Sequence, residues 1–275
     1  MAIENPGPTF AAILLFFFAG ALAAAAETVP DDHPVYVSIG TGIDFSRGDY
    51  GERDANGNQI ETDVVSVPFF TKIEWEPVTF RASIPVLYVD GSNQIAALLN
   101  GGDSGGGGGG DGAANRQTTV GVGDVTTSLT YSYYPDRDSV LPIVDLSVGI
   151  KIPSARPKSL RSPGVDITLG VEIAKTFDRL SVFAGVRRRF KTDDDFDDIW
   201  LTSVGSAVKL AKWISLGVAW DFREGSTGFS PDSHEISPYA SLRLSEHTRL
   251  TPYGVIGLTD GAPDWGVGTT ISYEF

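Results

Sequence analysis

The chain has 275 residues with 32 glycines, no cysteine and a formal net charge of −14 at pH 7. This acidic balance disfavours nucleic acid as a partner, and the missing cysteines exclude disulfides and thiolate metal sites. So many glycines argue against a helical protein, because glycine weakens helix interiors. The length suits one all-β barrel and requires no second domain.

The first segment has the features of an export signal. An apolar core, Phe10 to Leu22, is followed by Ala24 to Ala26, which predicts cleavage before Glu27. We therefore expect residues 1–26 to be a signal peptide and residues 27–275 to form an outer-membrane β-barrel. No lysine or arginine precedes the apolar core, which is unusual for a signal. A retained helical anchor is the alternative, but the core is shorter than the about 20 residues that a helical span needs.

From Pro34 onward, apolar and small or polar residues alternate, as in strands that separate two solvents. In the first such segment Val37 and Ile39 share one face, while Ser38 and Gly40 share the other. The alternation predicts twelve strands: Val35–Phe45, Val65–Ile73, Val78–Val86, Val120–Tyr134, Ile143–Pro153, Val165–Phe177, Leu180–Phe190, Trp200–Ala211, Ile214–Arg223, Ile236–Ser245, Arg249–Thr259 and Trp265–Phe275.

Long and short connections alternate between these strands. Arg47 to Glu61 and Asp90 to Thr118 are long, whereas Glu76-Pro77 and Asp178-Arg179 are tight turns. Bacterial outer-membrane barrels have this pattern, with an even strand number and short periplasmic turns. Closure also removes the edge strands that an open sheet would leave unpaired. We expect a transmembrane antiparallel up-and-down β-barrel in the cell outer membrane, in contact with lipid and lipopolysaccharide.

The last predicted strand, Trp265 to Phe275, has the clearest alternation. Aromatic and apolar side chains share one face, and glycine, threonine, serine and glutamate occupy the other. A terminal phenylalanine with a tyrosine two residues earlier resembles the signal that the outer-membrane assembly machinery reads. Tyr273 and Phe275 are therefore the predicted assembly signal.

In many predicted strands the alternation places charged residues on the inner face. On the lipid side each charge would cost about 2 to 4 kcal/mol at the midplane of the membrane. In one interpretation they pair with one another and fill a narrow lumen. In the other, Arg187, Arg189 and Arg243 line a constriction, face acidic partners and set selectivity. The candidate lumen residues are Arg81, Lys151, Glu172, Arg187, Arg189, Lys209, Asp221 and Arg243.

The long connection Asp90 to Thr118 is a candidate gate. It contains an apolar piece with Ile95, Leu98 and Leu99, followed by six consecutive glycines, Gly105 to Gly110. An apolar segment is disfavoured in water, and glycines restrict its repositioning little. The piece is expected to cover the outer mouth; the alternative is a loop that projects outward.

No catalytic residue, cofactor or metal site is predicted. The histidines, His33, His234 and His247, all fall outside the predicted strands, and no G-x-S-x-G motif occurs. An omptin-like protease would need Asp232 and His234 to converge with the acidic run that begins at Asp193. That run also contains carboxylates suited to calcium, but it lacks EF-hand spacing.

Four local motifs resemble the outer-membrane family of meta-pathway phenol-degradation proteins. They lie in order along the second part of the chain: Gly121-Val122-Gly123-Asp124-Val125, Lys151-Ile152-Pro153, Asp166-Ile167-Thr168-Leu169-Gly170, and Gly261-Ala262-Pro263-Asp264-Trp265-Gly266-Val267-Gly268. The resemblance spans Val120 to Phe275. It implies a transporter-like barrel for aromatic or other hydrophobic compounds, and it supplies no catalytic residues. The glycine-rich loop and the Arg187 to Arg189 run depart from the expected pattern.

Together these features predict an outer-membrane channel for small, hydrophobic or aromatic permeants. The acidic charge favours cationic or neutral permeants over anions. The alternative is a non-conducting barrel that is structural or whose loops bind partners. The state of the lumen distinguishes them, because an open path past the charged residues supports transport and complete filling supports a structural role.

Overall fold

The computed structural model describes residues 35–50, 58–92, 116–136, 139–162, 164–193, 196–225 and 231–275. The predicted signal peptide lies outside the described residues. The predicted gating piece with Ile95, Leu98 and Leu99 also lies outside them.

The described residues form antiparallel strands and one short 3₁₀ helix at Lys158–Leu160. None of their helices is long and apolar enough to cross a membrane. The strands are β1 (Tyr36–Gly48), β2 (Thr62–Trp75), β3 (Val78–Ser92), β4 (Arg116–Val122), β5 (Val125–Tyr133), β6 (Ile143–Ile152), β7 (Asp166–Phe177), β8 (Leu180–Lys191), β9 (Ile199–Ala211), β10 (Ile214–Arg223), β11 (Ser233–Arg243), β12 (Thr248–Gly257) and β13 (Trp265–Glu274).

The sheet closes into a barrel because β1 pairs with both β2 and β13. From β5 to β13 each strand pairs with the next along the chain, and β2 pairs with β3. The strands β4 and β5 share one place in the wall: β4 pairs with the end of β3 near Ser92, and β5 pairs with the end near Val78. The wall therefore has twelve strand positions, and the predicted all-β up-and-down barrel is confirmed.

The shared position differs from the single predicted strand, Val120 to Tyr134. Inward residues are odd-numbered in β4 and even-numbered in β5, because the register against β3 shifts between Val122 and Val125. Such a shift is a β-bulge, which re-aims a side chain and interrupts pairing. Here the bulge holds Gly123 and the buried Asp124, whose carboxylate binds backbone amides of the β6–β7 connection.

The outer face of the wall is an apolar belt. Exposed aliphatic side chains such as Ile43, Val148 and Leu169 cover its middle. Aromatic side chains at both ends form the girdles expected at the two membrane interfaces. Near the short turns these are Trp75, Tyr131, Tyr133, Phe177, Trp213, Tyr273 and Phe275, and near the long connections they are Tyr88, Phe190, Trp200, Trp220 and Trp265. The barrel is an outer-membrane protein.

Charged side chains mark the outer end of this belt. Arg47 binds Asp63 in a bidentate pair at 2.5 and 2.8 Å, and Arg116 binds Asp90 at 2.6 Å. These four residues fall on the same side of their strands as the apolar outward residues, so they lie on the lipid-side face beside the long connections. Ion pairs there suit the charged headgroup layer rather than the hydrocarbon core.

Aromatic rings on the inner face pack over glycines of neighbouring strands. Phe183 of β8 lies over Gly205 of β9, and Tyr239 of β11 lies over Gly217 of β10. Phe70 and Tyr253 occupy equivalent places over Gly40 and Gly268. The glycines thus admit bulky rings to the lumen by removing the side chain that would collide with them.

Replacing Gly205 by valine should destabilise the barrel. A Cβ atom there would overlap the Phe183 ring and would lie 2.6 Å from the Val218 carbonyl oxygen. Overpacking of this kind costs about 1 to 3 kcal/mol. Urea unfolding, followed by heat-modifiable migration in gels, measures the loss.

The matched control is Gly149→Ala, also on the inner face, where the nearest heavy atoms would lie 3.7 Å from the new Cβ. Its free energy of unfolding should change by about 0.5 kcal/mol or less. Equal effects of the two substitutions would contradict the ring-over-glycine packing.

Candidate functional site in the barrel lumen

Strand alternation brings four cationic side chains to one cavity in the lumen. Arg81 comes from β3, Lys151 from β6, and Arg187 and Arg189 from β8. The cavity is partly enclosed, has a volume of about 100 Å³, and is also lined by serine and threonine hydroxyls. Lys151, Arg187 and Arg189 are each less than a tenth exposed. The structure therefore gathers half of the predicted lumen residues at one place.

Carboxylates of β7 neutralise part of this positive charge. Lys151 Nζ lies 3.1 Å from Asp166 Oδ2, and Arg187 forms an ion pair with Glu172. The side chain of Arg187 passes over Gly170, where an added Cβ would lie 2.8 Å from Arg187 Cγ. Glycine at this position is thus what lets the arginine cross its neighbouring strand.

Arg81 is held by an aromatic ring. Its guanidinium carbon lies 4.4 Å from the centroid of the Phe70 ring on β2, within the range of a cation–π contact. The adjacent strand position brings Lys72 opposite Arg81, and Lys72 pairs with Glu74 at 2.5 Å. The contact with Phe70 fixes the direction of Arg81 without adding a carboxylate to the cavity.

The remaining arc of the wall carries buried acids. Asp221 accepts a hydrogen bond from Ser203 Oγ at 2.6 Å, Glu235 accepts one from Ser233 Oγ at 2.8 Å, and Asp44 accepts one from the Tyr253 hydroxyl. Hydroxyl-bound acids therefore lie on β1, β10 and β11, whereas β6 and β7 carry the buried acids Asp145, Asp166 and Glu172 beside the cations. The lining of the cavity itself contains cations and no acid among the described residues.

Sequence reasoning did not single out Asp44 or Glu235 as lumen residues, and it gave Asp124 only as part of a family motif. For Asp44 the signal was present, because it falls on the inner face of the first predicted strand. Glu235 was assigned to a loop, whereas β11 begins at Ser233 and carries Glu235 inward. Asp124 belongs to the bulge, which an alternation pattern does not reveal.

Lys209 and Arg243 lie away from the cavity. Both are exposed at the ends of β9 and β11 that lead into short turns, and Arg243 stands opposite Arg249 of β12. The structure does not bring Arg243 to the cavity of Arg187 and Arg189. These two positions place positive charge at the periplasmic mouth.

One histidine is placed differently from the prediction, which had no histidine within a strand. His234 lies in β11, and its ring packs 5.6 Å from Trp220 and 4.9 Å from Phe222 between centroids. His234 thus belongs to the outer aromatic girdle.

The residues of the protease and calcium interpretations are only partly described. Asp232 accepts a hydrogen bond from the Gly225 amide at 2.8 Å. Asp194 and Asp195, which the protease and calcium interpretations require, lie outside the described residues.

The β6–β7 connection, residues 153–162, folds onto the inner face of the barrel and is called the outer-mouth strap below. Asp124 accepts hydrogen bonds from the amides of Ala155 at 2.8 Å and Ser162 at 2.9 Å. Leu160 is fully buried against Leu87 and Ala155. The sequence predicted a loop here, but its inward packing depends on the bulge carboxylate.

The strap packs directly against Gly121 of β4, a position that has no side chain. A Cβ on Gly121 would collide with the strap at Arg156 and Leu160. The strap also exchanges two backbone hydrogen bonds with β4, from the Val122 amide to Arg156 oxygen at 2.9 Å and from the Arg156 amide to Val122 oxygen at 2.8 Å. It therefore partly takes the place of a strand beside β4, whose other edge pairs with β3.

Four acidic residues lie near one another in the outer connections next to β1, β2 and β13, around Asp264. Partial burial raises the pKa of Asp264, and the nearby carboxylates of Asp49, Glu61 and Asp260 raise it further. Because several carboxyl groups lie close together here, this rim attracts cations.

Comparison with known proteins shows the fold. No family model matches the chain. The COG4313 outer membrane channel from Pseudomonas putida F1 superposes with a TM-score of 0.61 and 15% identity, covering 90% of this chain and 100% of that one. The translocator domain of the autotransporter NalP from Neisseria meningitidis superposes with a TM-score of 0.51 and 11% identity over the full length of both chains. At these identities the likeness establishes an outer-membrane barrel fold.

Asp124→Ala should release the outer-mouth strap. The substitution removes the acceptor for two amides, and hydrogen bonds to a charged acceptor each contribute about 1.5 to 3 kcal/mol. Trypsin cleavage after Lys158 and Arg161 should therefore accelerate by about tenfold or more in the folded barrel. Mass spectrometry of the fragments reports the sites.

Asp232→Ala is the control, since it removes a carboxylate that binds an amide in a different outer connection. It should leave cleavage at Lys158 and Arg161 unchanged. An Asp124→Ala barrel that resists trypsin like the unmodified protein would show that the strap is held by other contacts.

Proposed function

We propose that this protein is an outer-membrane channel through which small, hydrophobic or aromatic compounds pass. The observation that carries the proposal is the composition of the inner face, where a cavity lined by cations and hydroxyls lies inside a closed wall. A barrel that served only as an anchor would have no need of buried charges, which are costly to keep away from water.

Two further observations support the proposal, one for aromatic permeants and one for an outer-membrane channel. The four sequence motifs resemble the meta-pathway phenol-degradation family, and the superposed Pseudomonas protein is an outer membrane channel. The first motif contains Gly121 and Asp124, which make room for the outer-mouth strap and bind it. Two residues of this family motif therefore hold the outer-mouth strap in place.

A non-conducting barrel is the second candidate, because parts of the lumen are filled. Phe70, Phe183, Tyr239 and Tyr253 project inward over glycines, and the strap occupies the outer end. In that case the ion pairs would serve to pack the interior. Permeability separates the two candidates directly.

Proteoliposomes that contain the folded barrel should swell in isosmotic catechol faster than protein-free liposomes, and should swell little in sucrose. Catechol is small, polar and aromatic, whereas sucrose is a much larger, non-aromatic solute. Heat-unfolded protein from the same preparation is the control. Swelling at the protein-free rate in every solute would favour the non-conducting barrel.

We also propose that β13 carries the signal for the outer-membrane assembly machinery. Tyr273 and Phe275 are exposed on the lipid-facing side, their rings are 5.0 Å apart, and the Phe275 amide donates to Val37 oxygen at 2.9 Å. The pair thus presents an aromatic surface beside the seam with β1.

Replacing Tyr273 and Phe275 together by alanine should lower the amount of heat-modifiable barrel in outer membranes severalfold. Phe177→Ala is the control, because Phe177 is an exposed aromatic residue at the same boundary but lies on β7. An equal yield from the double variant and the unmodified protein would refute the signal.

A further inference from the structure

We propose that the cavity between β3, β5, β6, β7 and β8 is a binding site for a small organic carboxylate, which the channel takes up as an anion. The inference deepens the proposed function by naming a chemical class of permeant, and its role in uptake rests on that function. The overall charge of the chain is negative, so the site is selective because of local charge rather than net charge.

The first argument is the sign of the lining. Four cationic side chains line the cavity, Arg81, Lys151, Arg187 and Arg189, and none of the described lining residues is acidic. Asp166 and Glu172 bind Lys151 and Arg187 without lining the cavity. The surface that a ligand would meet is thus cationic, although part of the charge is balanced by carboxylates outside it. In a partly enclosed site, such charges act through a lower effective dielectric constant than in water.

The second argument is the supply of hydrogen-bond donors. Guanidinium groups present a planar fork that matches a carboxylate and binds it in a bidentate manner. Serine and threonine hydroxyls complete the lining, and each can donate to an anion. Ser83 and Thr126 already share a hydrogen bond at 2.6 Å, which holds two of these hydroxyls on adjacent strands. A carboxylate would therefore meet both charged and neutral donors.

The third argument is size. The volume of about 100 Å³ equals roughly three water molecules at about 30 Å³ each, enough for a carboxylate group and the carbon atoms next to it. Because the cavity is only partly enclosed, the rest of a ligand such as benzoate would extend into the lumen. Leu201, which is buried on β9, supplies an apolar part of the lining. The cavity thus suits a small acid with an apolar body better than a highly charged polyanion.

The first test is direct binding of benzoate to the folded barrel in detergent, measured by isothermal titration calorimetry with benzamide and inorganic phosphate as comparison ligands. Benzoate should bind about tenfold or more tightly than benzamide, which has the same shape without the charge. Phosphate binding as tight as that of benzoate would overturn the carboxylate assignment. No benzoate binding to folded protein would overturn the site.

The second test uses variants that alter charge and space separately. Arg189→Gln removes one charge. Gly149→Leu fills the cavity with all four cations retained, since Gly149 lines the cavity and a Cβ there would meet its nearest neighbours at 3.7 Å, an ordinary van der Waals distance. Each should weaken benzoate binding by about tenfold or more. Lys212→Gln removes an exposed cation from the β9–β10 turn and should leave binding within about twofold. Heat-modifiable migration verifies folding of each variant, and unchanged binding in both lumen variants would overturn the location.

Benzoate binding and solute permeation are measured in separate experiments. Benzoate binding without catechol or benzoate permeation would leave the site standing and would refute the channel. Permeation without benzoate binding would leave the channel standing and would refute the site.

Discussion

The structure depends on one constraint, which is that a chain crossing the hydrocarbon layer must satisfy its backbone hydrogen bonds internally. Here the constraint is met by pairing β1 with β13, which leaves no lengthwise edge between the first and last strands of the wall. Once the wall is closed, every strand has one face toward lipid and one toward the lumen. Successive side chains along a strand therefore face lipid and lumen in turn. Apolar side chains such as Val148 then face lipid, whereas neighbours such as Gly149 and Lys151 face inward.

The same constraint concentrates charge in a small space. Cations and acids excluded from the lipid face must share the lumen, and they are stable there only with partners. The structure supplies three kinds of partner: carboxylates for Lys151 and Arg187, an aromatic ring for Arg81, and hydroxyls for Asp221. Because the carboxylates that pair with Lys151 and Arg187 do not line the cavity, the cavity presents a cationic surface within a lumen that contains charges of both signs.

Much of the fold was accessible from sequence because its main signal is local. Alternation predicted the closed barrel and the inward direction of residues such as Arg187 and Asp221, and the turn at Asp178-Arg179 lies where the pattern placed it. The division of the fourth strand position was not predictable, because a bulge changes parity over only two residues, Gly123 and Asp124.

The candidate site was predicted only in part, since alternation gives a side chain's face and not its neighbours. One interpretation placed Arg187 and Arg243 in one constriction, yet Arg243 lies at the turn end of β11 and does not line the cavity of Arg187. The outer-mouth strap was missed for a similar reason, because a connection has no periodic signal and its position depends on the tertiary contact with Asp124.

The central claim is that a closed wall sorts neighbouring residues between lipid and a water-accessible lumen. The chain has no native cysteine, so single cysteines at Val148 and Gly149 report on it without interference. Measured with a small water-soluble maleimide on the folded barrel in lipid bilayers, the cysteine at position 149 should react and the cysteine at position 148 should be protected. Protection at 149 with reaction at 148, or equal rates at both, would contradict the account.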